Sequence, residues 1–217
     1  ADFCDASKPT IGVLFYRDEW VWGDLTYQGA LINEIEEQGM NAICVFSNGM
    51  PIEEMGMPSL TKVFDWYFCK DGVPAIDALI NIMKFSLSSS GNISIDYFKK
   101  WNVPILAGYT IMTDYDEWKE SFEGMNPMEV SIAISLPEFD GTIHGVPVAY
   151  KKVLGNGDVN YLPIPERVHR MVSKARKWAR LRRKTNSDKK IAIIFHNYPP
   201  RNSNIGSALG LDTIESI

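Results

Sequence analysis

The sequence predicts an α/β fold in which a parallel β-sheet is covered by helices on both faces. Short apolar runs, typical of buried strands, alternate along the chain with amphipathic segments of helical length. The connections between them are short, as they are when helices link the strands of one sheet. With 217 residues, of which 45% are hydrophobic, the chain is also long enough to bury a sizeable core.

The beginning of the chain predicts a β-α-β unit. Thr10–Tyr16 is the first apolar run, and the polar and aromatic segment after it, residues 17–24, is predicted to be a loop. Asp24 is predicted to cap a helix that ends at Gly39. Residues 41–46 complete the unit as a second strand, reached by a right-handed crossover. Such a unit is typical of flavodoxin-like and Rossmann-like sheets.

Less regular elements follow this unit. Residues 64–69 fit either a strand or a helix, and the serine-rich segment 86–91 is predicted to be a flexible loop. Asn126 is predicted to cap a helix with Pro127 at its first position. The complete set for this region is strands at 75–83, 103–107 and 142–150 and helices at 93–101 and 125–130.

A long basic helix is predicted over residues 164–184. Its apolar residues recur at helical spacing and mark a buried stripe. They are Val168, Met171, Val172, Ala175, Trp178, Ala179 and Leu181. Residues 163–190 contain eleven Lys or Arg and two acidic residues, whereas the whole chain has a net charge of −5. Two interpretations stay open, a solvated helix face or a docking face for a partner subunit.

The predicted organisation has three parts. Residues 1–162 form the α/β domain, residues 163–190 form the basic connecting helix, and residues 191–217 start a further α/β unit that is cut short. In this last part the apolar run 191–195 predicts a buried strand. Asp212 or Thr213 is predicted to cap the helix that follows.

Candidate functional residues directly follow predicted strands, where open α/β sheets bind their ligands. After the first strand, Arg17 and Trp20 are candidates for substrate binding, since an indole can stack on a flat ring. Near the end of the chain, Asn197 and Arg201 are further binding candidates, because arginine pairs well with carboxylates. His196 is a candidate catalytic residue that can move a proton or hold a metal ion. The alternative is that His196 only hydrogen-bonds within a tight corner shaped by the prolines after it.

A second candidate group consists of Glu138, Asp140 and His144. On an extended backbone Glu138 and Asp140 point to the same side. Glu138 is a candidate proton acceptor, and Asp140 with His144 is a candidate site for a divalent metal. The alternative is an ordinary turn at Asp140 and Gly141, because no Cys or second His gives the group a recognised metal-site spacing.

Three stretches of the chain carry a resemblance to a known family. The longest reads FHNYPPRNSNIGSALGLDTIES and starts at Phe195. It resembles a segment of the large subunits of cobaltochelatase and magnesium chelatase. Residues 11–17 and 137–141 agree with that resemblance in order and rough spacing, so it spans residues 9–217.

The resemblance implies a fragment of a ring-binding subunit in an ATP-dependent chelatase. The expected reaction is insertion of cobalt(II) into a corrin precursor in cobalamin biosynthesis, with magnesium insertion into protoporphyrin IX as the alternative. Partners implied are the tetrapyrrole substrate, separate AAA+-type subunits that hydrolyse ATP, and accessory chelatase subunits. The rival interpretation is a non-enzymatic α/β module that binds a small molecule or docks a subunit.

Composition narrows the remaining classes of protein. The net negative charge and the lack of interleaved aromatic residues in the basic helix argue against a nucleic-acid partner. No apolar stretch approaches the ~20 residues that span a bilayer. The three cysteines, Cys4, Cys44 and Cys69, are far apart and odd in number. A reducing, cytoplasmic location is therefore expected.

Overall fold

The computed structural model describes residues 4–91, 93–207, 212–213 and 215–216. The chain divides into two compact units, Ala1–Arg183 and Lys184–Ile217. The first unit contains the β-sheet and the helices that cover it, and it is described first.

The strands and helices of the first unit follow one another in mixed order. The strands are β1 (Thr10–Tyr16), β2 (Asn41–Ser47), β3 (Cys69–Lys70), β4 (Val73–Pro74), β5 (Ala78–Asn81), β6 (Ile105–Ile111), β7 (Ile143–Val153) and β8 (Val159–Pro163). The helices are α1 (Arg17–Trp22), α2 (Thr26–Glu37), α3 (Leu60–Val63), α4 (Leu87–Gly91), α5 (Ile95–Trp101), α6 (Tyr115–Glu120), α7 (Pro127–Val130), α8 (Leu136–Glu138) and α9 (Pro165–Arg183). The π-helical turns Phe64–Phe68 and Ser131–Ser135 continue α3 and α7.

The main sheet has six strands in the order β2-β1-β5-β6-β7-β8. The first five are parallel to one another, and β8 pairs antiparallel with β7 at the edge. Strands β3 and β4 form a separate two-stranded hairpin. The predicted α/β fold with a mostly parallel sheet is confirmed.

Helices cover both faces of this sheet. On one face α2 and α9 pack through fully buried side chains, among them Leu31 and Met171. On the other face α3, its π-helical turn and α5 form an aromatic cluster, in which the Phe64 and Trp101 rings stack 5.0 Å apart. Because both faces are covered, the central strands are apolar without alternation, and this explains the continuous apolar runs of the sequence.

Helix α9 confirms the predicted buried stripe along most of its length. Val168, Met171, Val172, Ala175 and Ala179 are buried, and the helix contacts α2, β7 and β5. Trp178 packs against the same core while partly exposed, and Leu181 lies at the surface. The helix assigned by sequence to a connection therefore packs as a layer of the first unit. Among the described residues, no helix combines the length and hydropathy that a membrane crossing requires.

Three local predictions in the first unit were wrong. Residues 17–22 form helix α1 instead of a loop, and Gly23 ends it in the left-handed conformation that favours glycine. Residues 87–91 form helix α4 instead of a flexible loop. Asp24 does not cap α2, because its carboxylate accepts a hydrogen bond from the Tyr161 N–H (2.7 Å) in β8. Strand β8 itself was not predicted.

The second unit differs from its prediction as well. Residues 191–196 form no strand, since a strand requires a hydrogen-bonded neighbour. Instead, Asn197 and Ile205 form an isolated antiparallel bridge. Asp212 accepts a hydrogen bond from the Glu215 N–H (3.0 Å), as a capping residue does. The rest of the predicted helix start, including residues 211 and 214, lies outside the described residues.

Candidate functional site

The carboxyl ends of β1, β5 and β6 lie side by side, because these three strands are neighbours in the sheet. The segment after each strand contributes one side chain to a common cluster. Glu19 comes from α1 after β1, Lys84 follows β5, and Met112 follows β6. Tyr27 from α2 and Tyr161 from β8 complete this group, which we call the carboxyl-edge cluster.

Glu19 is the acidic member of the carboxyl-edge cluster and is half-buried. Its Oε1 accepts a hydrogen bond from the Tyr27 hydroxyl (2.8 Å), and its Oε2 accepts one from Gln28 Nε2 (2.5 Å). Burial raises the pKa of Glu19, and the two hydrogen bonds and the charge of Lys84 only partly oppose that rise. A carboxylate with a raised pKa is well suited to accept a proton near neutral pH.

Lys84 is the basic member of the carboxyl-edge cluster. Its Nζ lies 3.7 Å from Met112 Sδ, which also lies 3.9 Å from the Tyr161 hydroxyl. Burial lowers the pKa of Lys84, while the charges of Glu19 and Glu129 act in the opposite direction. The cluster therefore holds two groups of opposite charge whose environments shift both pKa values towards neutrality.

The backbone that carries Lys84 has an unusual conformation. Lys84 and Phe85 have positive φ angles of 56° and 53°, a region that side-chain-bearing residues rarely adopt. Hydrogen bonds on both sides hold this segment in place. The Met83 N–H donates to Asn81 Oδ1 (3.1 Å), and the Phe85 N–H donates to the Ile132 carbonyl (2.9 Å). Strain that is held in this way is common at binding sites.

Trp20 and Arg17 lie at the same edge of the sheet. The Trp20 indole stacks on Phe46 at the end of β2, with ring centroids 5.5 Å apart, and is 55% exposed. Phe46 also lines a cavity of about 350 Å³, together with Cys44, Met57 and Tyr67. Arg17 lies in α1 and contacts Asp18, with 4.0 Å between the nearest nitrogen and oxygen atoms. The edge thus combines an exposed aromatic surface with the buried charges of the cluster.

Asp140 takes part in a different arrangement from the one predicted. Its carboxylate accepts hydrogen bonds from the Leu87 N–H (2.5 Å), the Ser88 N–H (3.2 Å) and the hydroxyls of Ser86 and Ser88. These contacts place it at the start of α4, where an acidic residue satisfies free backbone N–H groups. The bond across 53 residues explains why the serine-rich segment is helical.

The extended backbone predicted between Glu138 and Asp140 was wrong. Glu138 ends helix α8 and is exposed, whereas Asp140 is buried, so the two carboxylates do not share one side. His144 lies in β7, and its side chain is outside the described part of the structure. Among the described residues, no group of three or more His, Cys, Asp or Glu side chains is placed to hold a metal ion.

The remaining predicted residues lie in the second unit. The His196 carbonyl accepts a hydrogen bond from the Gly206 N–H (2.7 Å), and the His196 and Tyr198 rings are 6.3 Å apart. Asn197 Oδ1 accepts a hydrogen bond from the Arg201 N–H (3.2 Å). These contacts form a compact corner within the second unit that brings His196, Asn197 and Arg201 into one loop.

Sequence reasoning selected Arg17 and Trp20 at this edge of the sheet but selected none of the five members of the carboxyl-edge cluster. Glu19 lies between the two residues chosen there, Arg17 and Trp20, and nothing local distinguishes it from Asp18. Lys84 directly follows the predicted strand 75–83, so a charged residue at the end of an apolar run was the available signal. Tyr161 was not found because its strand was not predicted.

The sheet order defines an α/β domain with helices on both faces, and the carboxyl-edge cluster lies where such sheets commonly bind ligands. Comparison with known proteins identifies the family. A family model described as CobN/Magnesium Chelatase matches residues 1–217. The chain belongs to this family of metal chelatase large subunits.

The relatives of this chain include a subunit of a magnesium chelatase and a subunit of a cobaltochelatase. An uncharacterised protein of Methanocaldococcus jannaschii is 41% identical over 98% of the chain and 18% of its own length. Magnesium-chelatase subunit ChlH from the chloroplast of Oryza sativa subsp. indica is 29% identical over 98% of the chain and 15% of its own length. The solved catalytic subunit of cobaltochelatase from Mycobacterium tuberculosis has a TM-score of 0.73 and 27% identity, covering 95% of the chain and 17% of that structure. The chain therefore spans less than a fifth of each relative.

Proposed function

We propose that this chain is part of the large, tetrapyrrole-binding subunit of an ATP-dependent chelatase that inserts cobalt(II) into a corrin precursor in cobalamin biosynthesis. The observation that carries the proposal is the carboxyl edge of the sheet. There an exposed indole, Trp20, lies beside a cluster with one carboxylate and one ammonium group. Family membership supports the reaction class.

The chemistry of the substrate fits this edge. A tetrapyrrole is a flat, largely apolar ring that carries carboxylate side chains. Aromatic side chains such as Trp20 bind flat rings through stacking. Positively charged groups such as Arg17 and Lys84 pair with carboxylates.

Metal insertion also requires proton acceptors, because a divalent metal ion displaces two pyrrole protons from the ring. The raised pKa of Glu19 and its position at the carboxyl edge of the sheet support a role for it as one of these acceptors. Glu138 and His196 are also proposed as catalytic residues, because carboxylate and imidazole groups can accept protons. Asp140 and His144 remain proposed contacts of the metal substrate.

In the second unit Asn197 and Arg201 remain proposed ring-binding residues. We further propose that residues 191–217 are the start of a further α/β unit. The sequence contains no Gly-Lys-Ser/Thr phosphate-binding motif. In agreement with this, we propose that ATP is hydrolysed on a partner AAA+-type subunit. We also propose that accessory subunits complete the complex and that the complex works in the cytoplasm.

Magnesium insertion into protoporphyrin IX is the second candidate function. The observation that favours it is the similarity to the rice ChlH subunit, whose identity of 29% is slightly higher than the 27% of the cobaltochelatase structure. The two functions differ in the ring that the subunit binds, so ring selectivity separates them.

A tryptophan-fluorescence titration tests the proposed function. The chain is titrated with a metal-free corrinoid and with a metal-free porphyrin, and quenching of its six tryptophans is followed. We expect saturable quenching by the corrinoid and at least tenfold weaker binding of the porphyrin. Trp20→Ala is expected to weaken corrinoid binding about tenfold, which corresponds to ~1.4 kcal/mol of lost stacking.

Trp66→Ala is the matched control, because Trp66 is 61% exposed and lies in the π-helical turn after α3. Its substitution should leave the dissociation constant of the corrinoid unchanged. Preference for the porphyrin would replace cobalt by magnesium insertion as the function. The absence of saturable quenching by either ring would reject ring binding by this chain.

A further inference from the structure

The ammonium group of Lys84 is half-buried without a close carboxylate. Its contact within hydrogen-bonding range is the thioether sulfur of Met112 at 3.7 Å, a weak acceptor. Across the part of the chain that the structure describes, no Asp or Glu oxygen lies within 4.0 Å of Lys84 Nζ. Cations that leave water are normally paired, so this arrangement indicates an open position for an anion.

The nearby carboxylates are already engaged by other groups. Glu19 accepts hydrogen bonds from Tyr27 and Gln28. Glu129 Oε1 accepts one from the Met112 N–H (2.9 Å), and its Oε2 accepts one from the Asn126 N–H (3.0 Å). Both acids therefore act on Lys84 through longer-range attraction and leave its N–H donors available.

The backbone at Lys84 is strained, and this strain indicates that the position of its side chain matters for function. Two consecutive residues, Lys84 and Phe85, adopt left-handed conformations in which glycine would be less strained. The segment is held by Asn81 and Ile132, and Ser86 continues it with a hydrogen bond to Asp140 (2.9 Å). Lys84 is thus presented from a fixed loop at the carboxyl ends of β5 and β6, where ligands of such sheets bind.

The surroundings of Lys84 indicate what kind of anion it would bind. Phe85 is 39% exposed and Trp20 is 55% exposed at the same edge, so the ligand needs an apolar body beside its negative group. We propose that Lys84 binds a carboxylate side chain of the tetrapyrrole substrate, an inference that rests on the proposed function. Lys84 is then a substrate-binding residue that discriminates acidic rings from their neutral esters.

The test compares a metal-free corrinoid that carries free carboxylate side chains with its fully methylated ester, which has the same ring without the negative charges. Both are titrated against the unaltered chain and against Lys84→Met, which retains length and apolar character. We expect Lys84→Met to weaken binding of the acid about tenfold and to leave binding of the ester unchanged. Lys84→Arg should restore most of the preference for the acid, and Lys62→Met, at an exposed lysine of α3, should have no effect.

Lys84→Gly adds a readout that is independent of the ring. Because glycine adopts positive φ without strain, this variant should melt at a higher temperature than both the unaltered chain and Lys84→Met, while binding the acid as weakly as Lys84→Met. A lower melting temperature for Lys84→Gly would overturn the claim of a strained presenting loop.

The two proposals fail in different ways. If the chain binds both the acid and the ester and Lys84→Met keeps the same ratio of acid to ester affinity, the inference about Lys84 is overturned and the proposed function stands. If neither the acid nor the ester binds to the unaltered chain, ring binding is overturned and the inference falls with it.

Discussion

At the amino end of the sheet, Asp77 accepts hydrogen bonds from the Thr10 N–H (2.8 Å) and from Arg183 Nε (2.9 Å). Arg183 also donates through Nη2 to the Lys8 carbonyl (2.8 Å). At the carboxyl end, Glu19 accepts hydrogen bonds from two neutral donors, and Lys84 contacts a thioether. At one end of the sheet a buried carboxylate thus pairs directly with an arginine, whereas at the other end the two charged groups stay apart.

The two ends of the sheet differ in how much their charged groups contribute to the stability of the fold. Asp77 and Arg183 join the starts of β1 and β5 to the end of α9, so their pairing holds the layers of the first unit together. Glu19 and Lys84 gain little from each other and have shifted pKa values. This arrangement is the one expected for the anion-binding role that we propose for Lys84.

The largest expected effect concerns the paired end. Asp77→Ala removes the acceptor for the buried Thr10 N–H and leaves Arg183 without its carboxylate. We expect the free energy of unfolding to fall by about 2 kcal/mol, measured by chemical denaturation, chiefly because the buried Thr10 N–H loses its acceptor. A loss below about 1 kcal/mol would show that the amino end does not depend on this pair. Ring binding should be unchanged in the variant under conditions where it remains folded.

A smaller effect of opposite sign is expected at the unpaired end. Burial raises the pKa of Glu19 above its value in the unfolded chain, so folding favours the protonated form. The stability that wild-type Glu19 contributes therefore declines as the pH rises from the unfolded pKa through the folded pKa. Glu19→Gln, which is neutral at every pH, should stabilise the first unit by about 1 kcal/mol or less at pH 7.

The pH dependence is the diagnostic part of the Glu19→Gln experiment. Thermal melts at pH 7 and pH 3 should show the gain at pH 7 and its disappearance at pH 3, below the unfolded pKa of about 4.3, where the wild-type carboxyl is protonated in both states. Equal melting-temperature differences at both pH values would contradict a buried carboxylate with a raised pKa, and with it the contrast between the two ends.

The smallest expected effect concerns an exposed ion pair and serves as a reference for the effects of Asp77→Ala and Glu19→Gln. Asp96 and Lys99 form an ion pair in α5 at 3.1 Å, with side chains that are 85% and 73% exposed. Lys99→Ala should change the free energy of unfolding by less than about 0.5 kcal/mol, because water and salt screen such pairs. A loss as large as that of Asp77→Ala would mean that burial does not determine how much an ion pair contributes in this protein.

Much of the fold was predictable because it depends on local pattern. Both limits of β1 were predicted to the residue, and β2, α2 and α9 were predicted within a few residues. The cap of α7 was also confirmed, since Asn126 and Glu129 form the reciprocal hydrogen bonds of a capping box. Each of these features needs only periodicity or neighbours within a few residues.

The carboxyl edge was predictable as a location but not as a cluster. Arg17 and Trp20 were selected because they follow an apolar run, and the same rule reaches Lys84. The rule does not reveal that Met112 contacts both Lys84 and Tyr161, because these residues come from separate strands. Contacts of this kind depend on strand order, which the sequence pattern leaves open.

The sequence by itself determined the alternation of apolar strands and amphipathic helices, and with it an α/β sheet covered on both faces. Only the tertiary structure decided which polar residues meet. Asp140 accepts a hydrogen bond from the Leu87 N–H, 53 residues away, and so stabilises the start of helix α4. Asp24 accepts a hydrogen bond from the Tyr161 N–H instead of capping α2. The physical reason is that burial of apolar surface follows local periodicity, whereas a buried carboxylate pairs with whichever donor the packed layers bring within about 3 Å.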